Sequence, residues 1–206
     1  MIAYILYNPE SKQRCINAER LALYCESYLR LSKVVMFPRS IPNQKLIDKY
    51  PELRAGSISC SLSTMQIYTD FLEYGAMEML YFQDDVNPSR LAKPIEILHH
   101  DTMSDMYSAE YPLGYICQVN ETIDFLKEHD GNILSSTKYS HKLDHGNWVN
   151  DALIIDRQAA VITIKSYLED FRVVDCHTRN PIQGITYYRS KRPVFTPSGF
   201  LTTIDL

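Results

Sequence analysis

The sequence predicts an α/β fold, with one domain over residues 1–206 and helices on both faces of a mostly parallel sheet. A length of 206 residues suits one domain with a substantial core. Hydrophobic residues make up 45% and charged residues 22% of the chain, which is the composition of a globular protein rather than a disordered one. Apolar strand-like runs alternate with helix-like segments, and this alternation indicates the sandwich.

The first segments predict strand, helix, strand and helix. Ile2–Tyr7 is an apolar run that ends at the turn signal Asn8–Pro9. Apolar residues recur at helical spacing over Ser11–Leu29. Val34–Phe37 is a β-rich run, and Asn43–Tyr50 is a short helix candidate before a proline.

The middle of the chain predicts two more strands, each next to a helix. Ser57–Tyr74 has the length of a helix, and Gly75 stands where a helix-ending glycine is expected. Met77–Phe82 is a buried strand candidate. Tyr115–Val119 is another strand, followed by a predicted helix over Glu121–His129.

The last part predicts three strands and one helix. Asp151–Ile155 is an apolar strand, and Gln158–Leu168 is a helix. Thr186–Tyr188 and Val194–Thr196 predict short late strands. Ligands of such sheets bind where strands reach their carboxyl ends, so the loops at those ends are the candidate site.

Charge and cysteine content exclude several classes of protein. The chain has 21 Lys and Arg against 25 Asp and Glu, a net charge of −4, which disfavours a strongly basic nucleic-acid binder. No apolar run approaches the roughly 20 residues that span a bilayer. The five cysteines lack CxxC spacing, and the N-terminus lacks signal-peptide features, so we expect reduced thiols in a cytoplasmic protein.

The strongest chemical feature is LYFQDDV, over Leu80–Val86, where an apolar strand delivers Asp84 and Asp85 into a loop. Adjacent carboxylates repel unless a positive charge lies beside them. Mn²⁺ and Mg²⁺ prefer oxygen ligands and are often held by one or two carboxylates together with substrate phosphates. The motif predicts a metal site for a diphosphate substrate; a solvated Asp-Asp turn is the alternative.

The stretch Arg54–Val86 resembles glycosyltransferase family 25, the lipooligosaccharide and collagen-type galactosyltransferase family. Members show a block like GEIGCALSH, then a helix, then a strand ending in LEDDV. Thr64 stands where the family usually has His, and Gln83 replaces the first acidic residue. A viral or phage relative, or another family of the GT-A fold, fits as well. The residues in register with the block are Gly56, Ile58, Cys60, Leu62 and Ser63.

Two other segments are similar to the same family. YNPESKQRC matches the family's first strand and turn through Ser11 and Arg14. GNWVNDALIIDRQAA is similar to a later segment of the family through Ala152, Ile155, Arg157 and Ala160.

The resemblance implies a GT-A type α/β/α sandwich that binds a nucleotide-diphosphate sugar through a divalent metal, Mn²⁺ or Mg²⁺. It places Asp85 on the metal, with Asp175 or His177 as a late ligand; a surface-loop histidine is the alternative for His177. The pair His99–His100 is a weaker metal candidate, since adjacent residues point apart. The predicted donor-binding residues are Tyr7, Asn8, Arg14, Gln83 and Asp84.

The later loops predict the acceptor side. Asp144 and Asp151 are the candidate general bases, and Trp148 could stack on a sugar ring. Local ion pairing or capping, and a place in the core for Trp148, are the alternatives. Interleaved cations and aromatic residues near the C-terminus suit an anionic acceptor, or else form a solvated hairpin. The predicted acceptor-binding residues are Trp148, Tyr188, Arg189, Lys191 and Arg192.

The function predicted from these features is metal-dependent transfer of a sugar from a nucleotide-diphosphate sugar to a hydroxyl of a glycan. One alternative is a phage-type enzyme that glycosylates hydroxylated bases in DNA. Nucleotidyltransferases usually carry a glycine-rich signature near the first strand. Here no glycine precedes Gly56, so a nucleotidyltransferase is disfavoured. A non-enzymatic carbohydrate-binding module is the further alternative.

Overall fold

A computed structural model describes residues 1–31, 33–88, 114–120, 131–136, 140–145, 151–172, 181–191 and 195–197. Within these ranges the chain forms helices and strands in the alternation that the sequence predicts. The helices are α1 (Lys12–Ser27), α2 (Gln44–Lys49), α3 (Ala55–Tyr74) and α4 (Arg157–Glu169). The strands are β1 (Ile2–Tyr7), β2 (Val34–Pro38), β3 (Glu78–Gln83), β4 (Val86–Pro88), β5 (Tyr115–Gln118), β6 (Ile133–Ser136), β7 (Ser140–Leu143), β8 (Ala152–Asp156), β9 (Thr186–Ser190) and β10 (Phe195–Pro197).

Eight of these strands form one sheet in the order β2-β1-β3-β8-β5-β9-β7-β6. Strand β1 is parallel to β2 and β3, and β5 is parallel to β9. Strand β8 is antiparallel to β3 and β5, and β7 is antiparallel to β9 and β6. The predicted α/β/α fold class is confirmed: all strands of this mixed sheet run in one direction except β7 and β8.

Helices cover both faces of the sheet, as a three-layer sandwich requires. On one face, Leu21 and Cys25 of α1 pack with side chains of the central strands, such as Phe82. On the other, Phe71 of α3 packs in a cluster with Ala160 of α4 and residues of the same strands. Because successive strand residues point to opposite faces, the central strands are buried on both sides.

The helix ends follow local chemistry. The Ser11 hydroxyl caps α1 by accepting from the Arg14 N–H, and the Asp156 carboxylate caps α4 by accepting from the Ala159 N–H. Helix α3 ends at Gly75, whose φ of 82° is in the left-handed region that glycine adopts without strain. None of the described helices combines the length and apolar character needed to cross a membrane.

A small second sheet pairs β4 with β10 in antiparallel register. Phe195 of β10 is fully buried, with its ring centroid 4.8 Å from that of Phe82 in an edge-on contact. The Phe195 N–H donates to the carbonyl of Val119 at 3.3 Å. The small sheet therefore fastens the segment that follows the Asp84–Asp85 turn against the main sheet.

The predicted strands and helices within the described residues are present, with ends shifted by at most two residues. Strands β4, β6 and β7 are additions. All four residues of β6 are exposed, so that strand lacks the buried apolar run that prediction relies on. The helix predicted over Glu121–His129 lies outside the described residues. The described cysteines are free thiols, as expected.

Candidate functional site

The strand directions gather several predicted residues at one edge of the sheet, which we call the carboxyl edge because β1, β2, β3, β5 and β9 all end there. Strand β8 runs the other way and therefore starts there. The Gln83 N–H, at the end of β3, donates to the carbonyl of Asp151 at 2.9 Å. The Asp84–Asp85 turn and Asp151, far apart in sequence, are thus neighbours at this edge.

A buried ion pair dominates the turn. Arg14 Nη1 donates to Asp84 Oδ1, and the Asn8 N–H donates to Asp84 Oδ2 at 2.7 Å. Asp84 is only 2% exposed. Burial raises the pKa of Asp84, and the charge of Arg14 with the Asn8 N–H opposes that rise. The predicted donor-binding residues Asn8, Arg14 and Asp84 therefore do lie together, but they bind one another.

Asp85 occupies a different environment from Asp84. Its Oδ2 is 3.9 Å from Arg14 Nη1, which is an ion pair but longer than a hydrogen bond. Its side chain is 12% exposed. Arg14 thus acts on Asp84 at close range and on Asp85 only at a distance, so the two adjacent carboxylates experience different electrostatic environments.

The described residues contain no group of three or more His, Cys, Asp or Glu side chains that could hold a metal ion. Asp85 supplies the hard oxygen ligand that Mn²⁺ and Mg²⁺ prefer. One carboxylate together with substrate phosphates is a common arrangement for Mg²⁺, and the turn has the carboxylate that such an arrangement needs. The predicted ligands Asp175 and His177 lie outside the described residues.

Asn17 of helix α1 contacts the turn, and the sequence analysis did not predict it as a site residue. It lies one helical turn after Arg14 and is 4% exposed. Its side-chain amide donates to the carbonyls of Asp84 at 2.5 Å and Val86 at 3.1 Å. The amide therefore holds the backbone on both sides of Asp85. The helical spacing from Arg14 was the available signal, but a buried amide has many possible partners.

Arg39 is a second residue that sequence reasoning missed. It follows β2, and its N–H donates to the carbonyl of Tyr7 at 2.8 Å. Its guanidinium Nη2 is 3.6 Å from Glu10 Oε2, and the Glu10 side chain is 72% exposed. The charge of Arg39 also acts to lower the pKa of Asp84. Arg39 thus brings a cation, with a solvent-exposed counterion, next to the first-strand loop.

Helix α3 holds the chain that follows Arg39. The Ser40 N–H donates to Ser63 Oγ at 2.8 Å, and Ser59 Oγ donates to the carbonyl of Ser40 at 2.5 Å. Both serines lie in the serine-rich block that carries the family resemblance. In the structure, these serines hold the loop that follows β2, beside the carboxyl edge.

The predicted acceptor residues divide by position. Arg189, the penultimate residue of β9, and Lys191, just after that strand, lie at the carboxyl edge. His141 of β7 is the cross-strand partner of Arg189. Burial and the charges of Lys191 and Arg189 lower the pKa of His141. Tyr188 is 2% exposed and packs in the core, so its ring has no surface from which to contact an acceptor. Trp148 and Arg192 lie outside the described residues.

Asp144 is not where the sequence analysis expected a base. Strand β7 is antiparallel to β9, so its C-terminal end, and Asp144 after it, lie at the opposite edge of the sheet from Asp85. There Asp144 accepts from the Asn132 N–H at 2.8 Å and pairs with His145 Nδ1 at 2.6 Å. These partners fold a local turn. Of the two predicted bases, Asp151 alone shares an edge with the acidic turn.

No known protein family and no curated protein matches the chain. Among solved structures, a glycosyltransferase involved in glycosylation of the major capsid of PBCV-1 is similar, with a TM-score of 0.53 and 10% identity over 97% of this chain and 94% of that one. A structure assigned as a glucose-1-phosphate thymidylyltransferase of Bacillus anthracis, solved with sucrose, gives a TM-score of 0.49 and 10% identity over 100% and 93%. At this identity the first likeness establishes the fold, which is GT-A-like.

Proposed function

We propose that the protein is a metal-dependent glycosyltransferase that moves a sugar from a nucleotide-diphosphate sugar to a hydroxyl of a glycan. The observation that carries the proposal is the position of Asp85 at the carboxyl edge of a GT-A-like sheet, with its neighbour Asp84 neutralised by Arg14. The capsid glycosyltransferase of the same fold supports the transfer of a sugar. The resemblance to family 25 supports a nucleotide sugar as donor.

In this proposal Asp85 holds Mn²⁺ or Mg²⁺ together with the donor diphosphate, and Asp175 or His177 adds a ligand. The cation, when bound, neutralises negative charge on the departing diphosphate. Asn8, Gln83 and the loop of Tyr7 face the nucleoside. Asp84 and Arg14 hold the turn rather than contact the donor.

Asp151 is the proposed general base, because it lies beside the acidic turn at the carboxyl edge. Its carboxylate accepts the proton of the acceptor hydroxyl while the acceptor oxygen forms a bond to the anomeric carbon of the sugar. The bond between that carbon and the diphosphate oxygen breaks, and the nucleoside diphosphate leaves with the electron pair. The products are the glycosylated acceptor and the nucleoside diphosphate.

A hydrolysis screen of nucleotide sugars with MnCl₂ tests the proposal. We expect release of the nucleoside diphosphate from one donor, abolished by a chelator and by Asp85→Asn. Pyrophosphate formation from a nucleoside triphosphate and a sugar phosphate, without donor hydrolysis, would favour a nucleotidyltransferase instead. Sugar binding that ignores Mn²⁺, with no hydrolysis of any donor, would favour a carbohydrate-binding module.

The second candidate acceptor is DNA with hydroxylated bases, and one observation favours it. Arg189 and Lys191 bring cationic side chains to the edge that holds Asp85. A DNA acceptor predicts acceptor binding that weakens steeply with salt, because phosphate contacts release counterions. Changing Arg189, Lys191 and Arg192 together to Ala would flatten that salt dependence and leave donor hydrolysis intact. If the dependence of acceptor affinity on salt concentration does not change, the result would favour an uncharged glycan as the acceptor.

A further inference from the structure

The turn that presents Asp85 is held by one face of helix α1. Arg14 binds the Asp84 carboxylate, and Asn17, three residues later, binds the backbone. Side chains three residues apart lie on the same face of a helix, so both reach the turn from one side. Helix α1 therefore holds the turn in two ways, through the Asp84 carboxylate and through the backbone on either side of Asp85.

The contacts of Asn17 lie on either side of Asp85. One amide hydrogen goes to the carbonyl of Asp84 and the other to the carbonyl of Val86, at 2.5 and 3.1 Å. An asparagine amide has two N–H donors, and both are used here. The peptide unit that joins Asp84 to Asp85 and the carbonyl of Val86 are therefore held by one side chain that is itself buried.

Asn17 must act as a donor in this position. Both of its partners are carbonyl oxygens, and a flipped amide would set its own oxygen against them. Aspartate has nearly the same shape but at neutral pH has no hydrogen to donate. It would also add a negative charge beside Asp84 and Asp85, where like charges already repel. The site therefore distinguishes asparagine from aspartate by chemistry rather than by size.

We infer that Asn17 is a positioning residue for Asp85: by holding the carbonyls of Asp84 and Val86, it sets the direction of the Asp85 carboxylate toward a cation bound with a nucleotide diphosphate. The inference rests on the proposed function for the ligand of Asp85. It adds a residue outside the predicted donor, metal and catalytic sets.

Calorimetry of nucleotide binding tests the inference. Uridine, guanosine and thymidine diphosphate are each titrated with and without MnCl₂, and the tightening that Mn²⁺ causes is recorded. The tightening is the ratio of the dissociation constants measured without and with Mn²⁺. In Asn17→Asp this ratio is expected to fall at least tenfold, while the dissociation constant without metal stays within about twofold of the wild type. Asn17→Ala, which removes both hydrogen bonds without adding charge, is expected to lose less.

Leu21→Ala is the matched control. Leu21 lies on the same helix, is 1% exposed and packs in the apolar core, where its side chain can make no hydrogen bond to the turn. It should lower the melting temperature at least as much as Asn17→Ala and keep the Mn²⁺ tightening in full. If Leu21→Ala loses the tightening equally, or if both Asn17 variants keep it, Asn17 is only a stabilising residue and the inference is overturned.

Hydrogen exchange separates this failure from a failure of the proposed function. The amides of residues 84–86 should exchange faster in Asn17→Ala than in Leu21→Ala at equal global stability. If no nucleotide is tightened by Mn²⁺ in the wild type, the proposed metal-dependent function fails. Faster exchange would then still support Asn17 as the residue that positions the turn, and unchanged exchange would overturn that role as well.

Discussion

The two edges of the sheet both bury carboxylates, but they satisfy them differently. At the opposite edge, Asp156 accepts from the N–H groups of Gly114 at 2.9 Å, Tyr115 at 3.1 Å and Ala159 at 2.7 Å. Its cross-strand partner Glu78 accepts from the Tyr115 hydroxyl. At the carboxyl edge, Asp84 is instead paired with the cation Arg14, and Asp85 is 3.9 Å from the same guanidinium.

The comparison sets carboxylates that hold the fold together against Asp85, the proposed metal ligand. At the opposite edge, the Asp156 carboxylate accepts from backbone N–H groups at the starts of β5 and α4 and so connects these elements to β8. These hydrogen bonds occupy both of its oxygens, which makes Asp156 a poor ligand for a substrate or cation. At the carboxyl edge one guanidinium instead lies beside two adjacent negative charges, in direct contact with Asp84 and farther from Asp85. Burial of a carboxylate alone is therefore a poor sign of function; the kind of partner and the direction of the strand distinguish the two cases.

The sharpest test of the comparison is Asp85→Asn. The change keeps the size of the side chain and removes the charge that a cation would bind, so metal-dependent donor hydrolysis should fall at least 1,000-fold, about 4 kcal/mol of transition-state stabilisation. Circular dichroism melting should stay within about 3 °C of the wild type. Retained Mn²⁺-dependent hydrolysis in this variant would end the distinction between the edges.

The matching change at the opposite edge is Asp156→Ala. It removes a helix cap and leaves two further N–H groups without their acceptor, so the free energy of unfolding should fall by about 2–4 kcal/mol. Urea denaturation measures the loss. Donor binding per folded molecule should not change, and a variant that is stable but fails to bind would contradict the structural role.

Arg39→Ala probes the outer rim of the carboxyl edge. Loss of a cation near the first-strand loop should weaken nucleoside diphosphate binding about fivefold, close to 1 kcal/mol, because the guanidinium is partly exposed. Glu10→Gln is the control: it removes the exposed partner of Arg39 and should not weaken binding. Calorimetry at low salt compares the two, and equal losses in both would remove Arg39 from the donor site.

Asp144 gives the smallest expected effect. Its hydrogen bonds from Asn132 and the nearby His145 lower its pKa below the ordinary value of 3.8. A carboxylate with a depressed pKa in the folded state stabilises the fold above its unfolded pKa, and that contribution is lost as the pH falls through the folded value. Asp144→Asn should therefore destabilise slightly at pH 7 and converge with the wild type as the pH falls below the lowered pKa of Asp144, with no change in hydrolysis. A large loss of hydrolysis would restore Asp144 as a base.

The sequence predicts the acidic turn well because its signals are local: an apolar strand and two carboxylates lie within one short run. The pairing of Arg14 with Asp84 joins residues 70 positions apart, and no local pattern shows which carboxylate a given arginine binds. The resemblance brought both residues to the donor site but could not show that they occupy each other.

Asp144 and Tyr188 were misplaced for a related reason. Strand β7 is only four residues, SHKL, without a continuous apolar run, so neither its existence nor its direction could be inferred. Without the direction of β7, a loop acid could be assigned to either edge. Tyr188 lies between cations in the sequence, but the alternation of β9 turns its ring into the core.

The place of β8 in the sheet has a consequence for biosynthesis. This strand lies between β3 and β5 although it follows both in the chain. Until residues 152–156 leave the ribosome, β3 has an unpaired edge with a strongly apolar sequence, which invites pairing with other nascent chains. Long-range pairings of this kind form slowly. The same late strand brings Asp151 to the acidic turn, so the nascent protein covers the apolar edge of β3 and gains its proposed base in a single step.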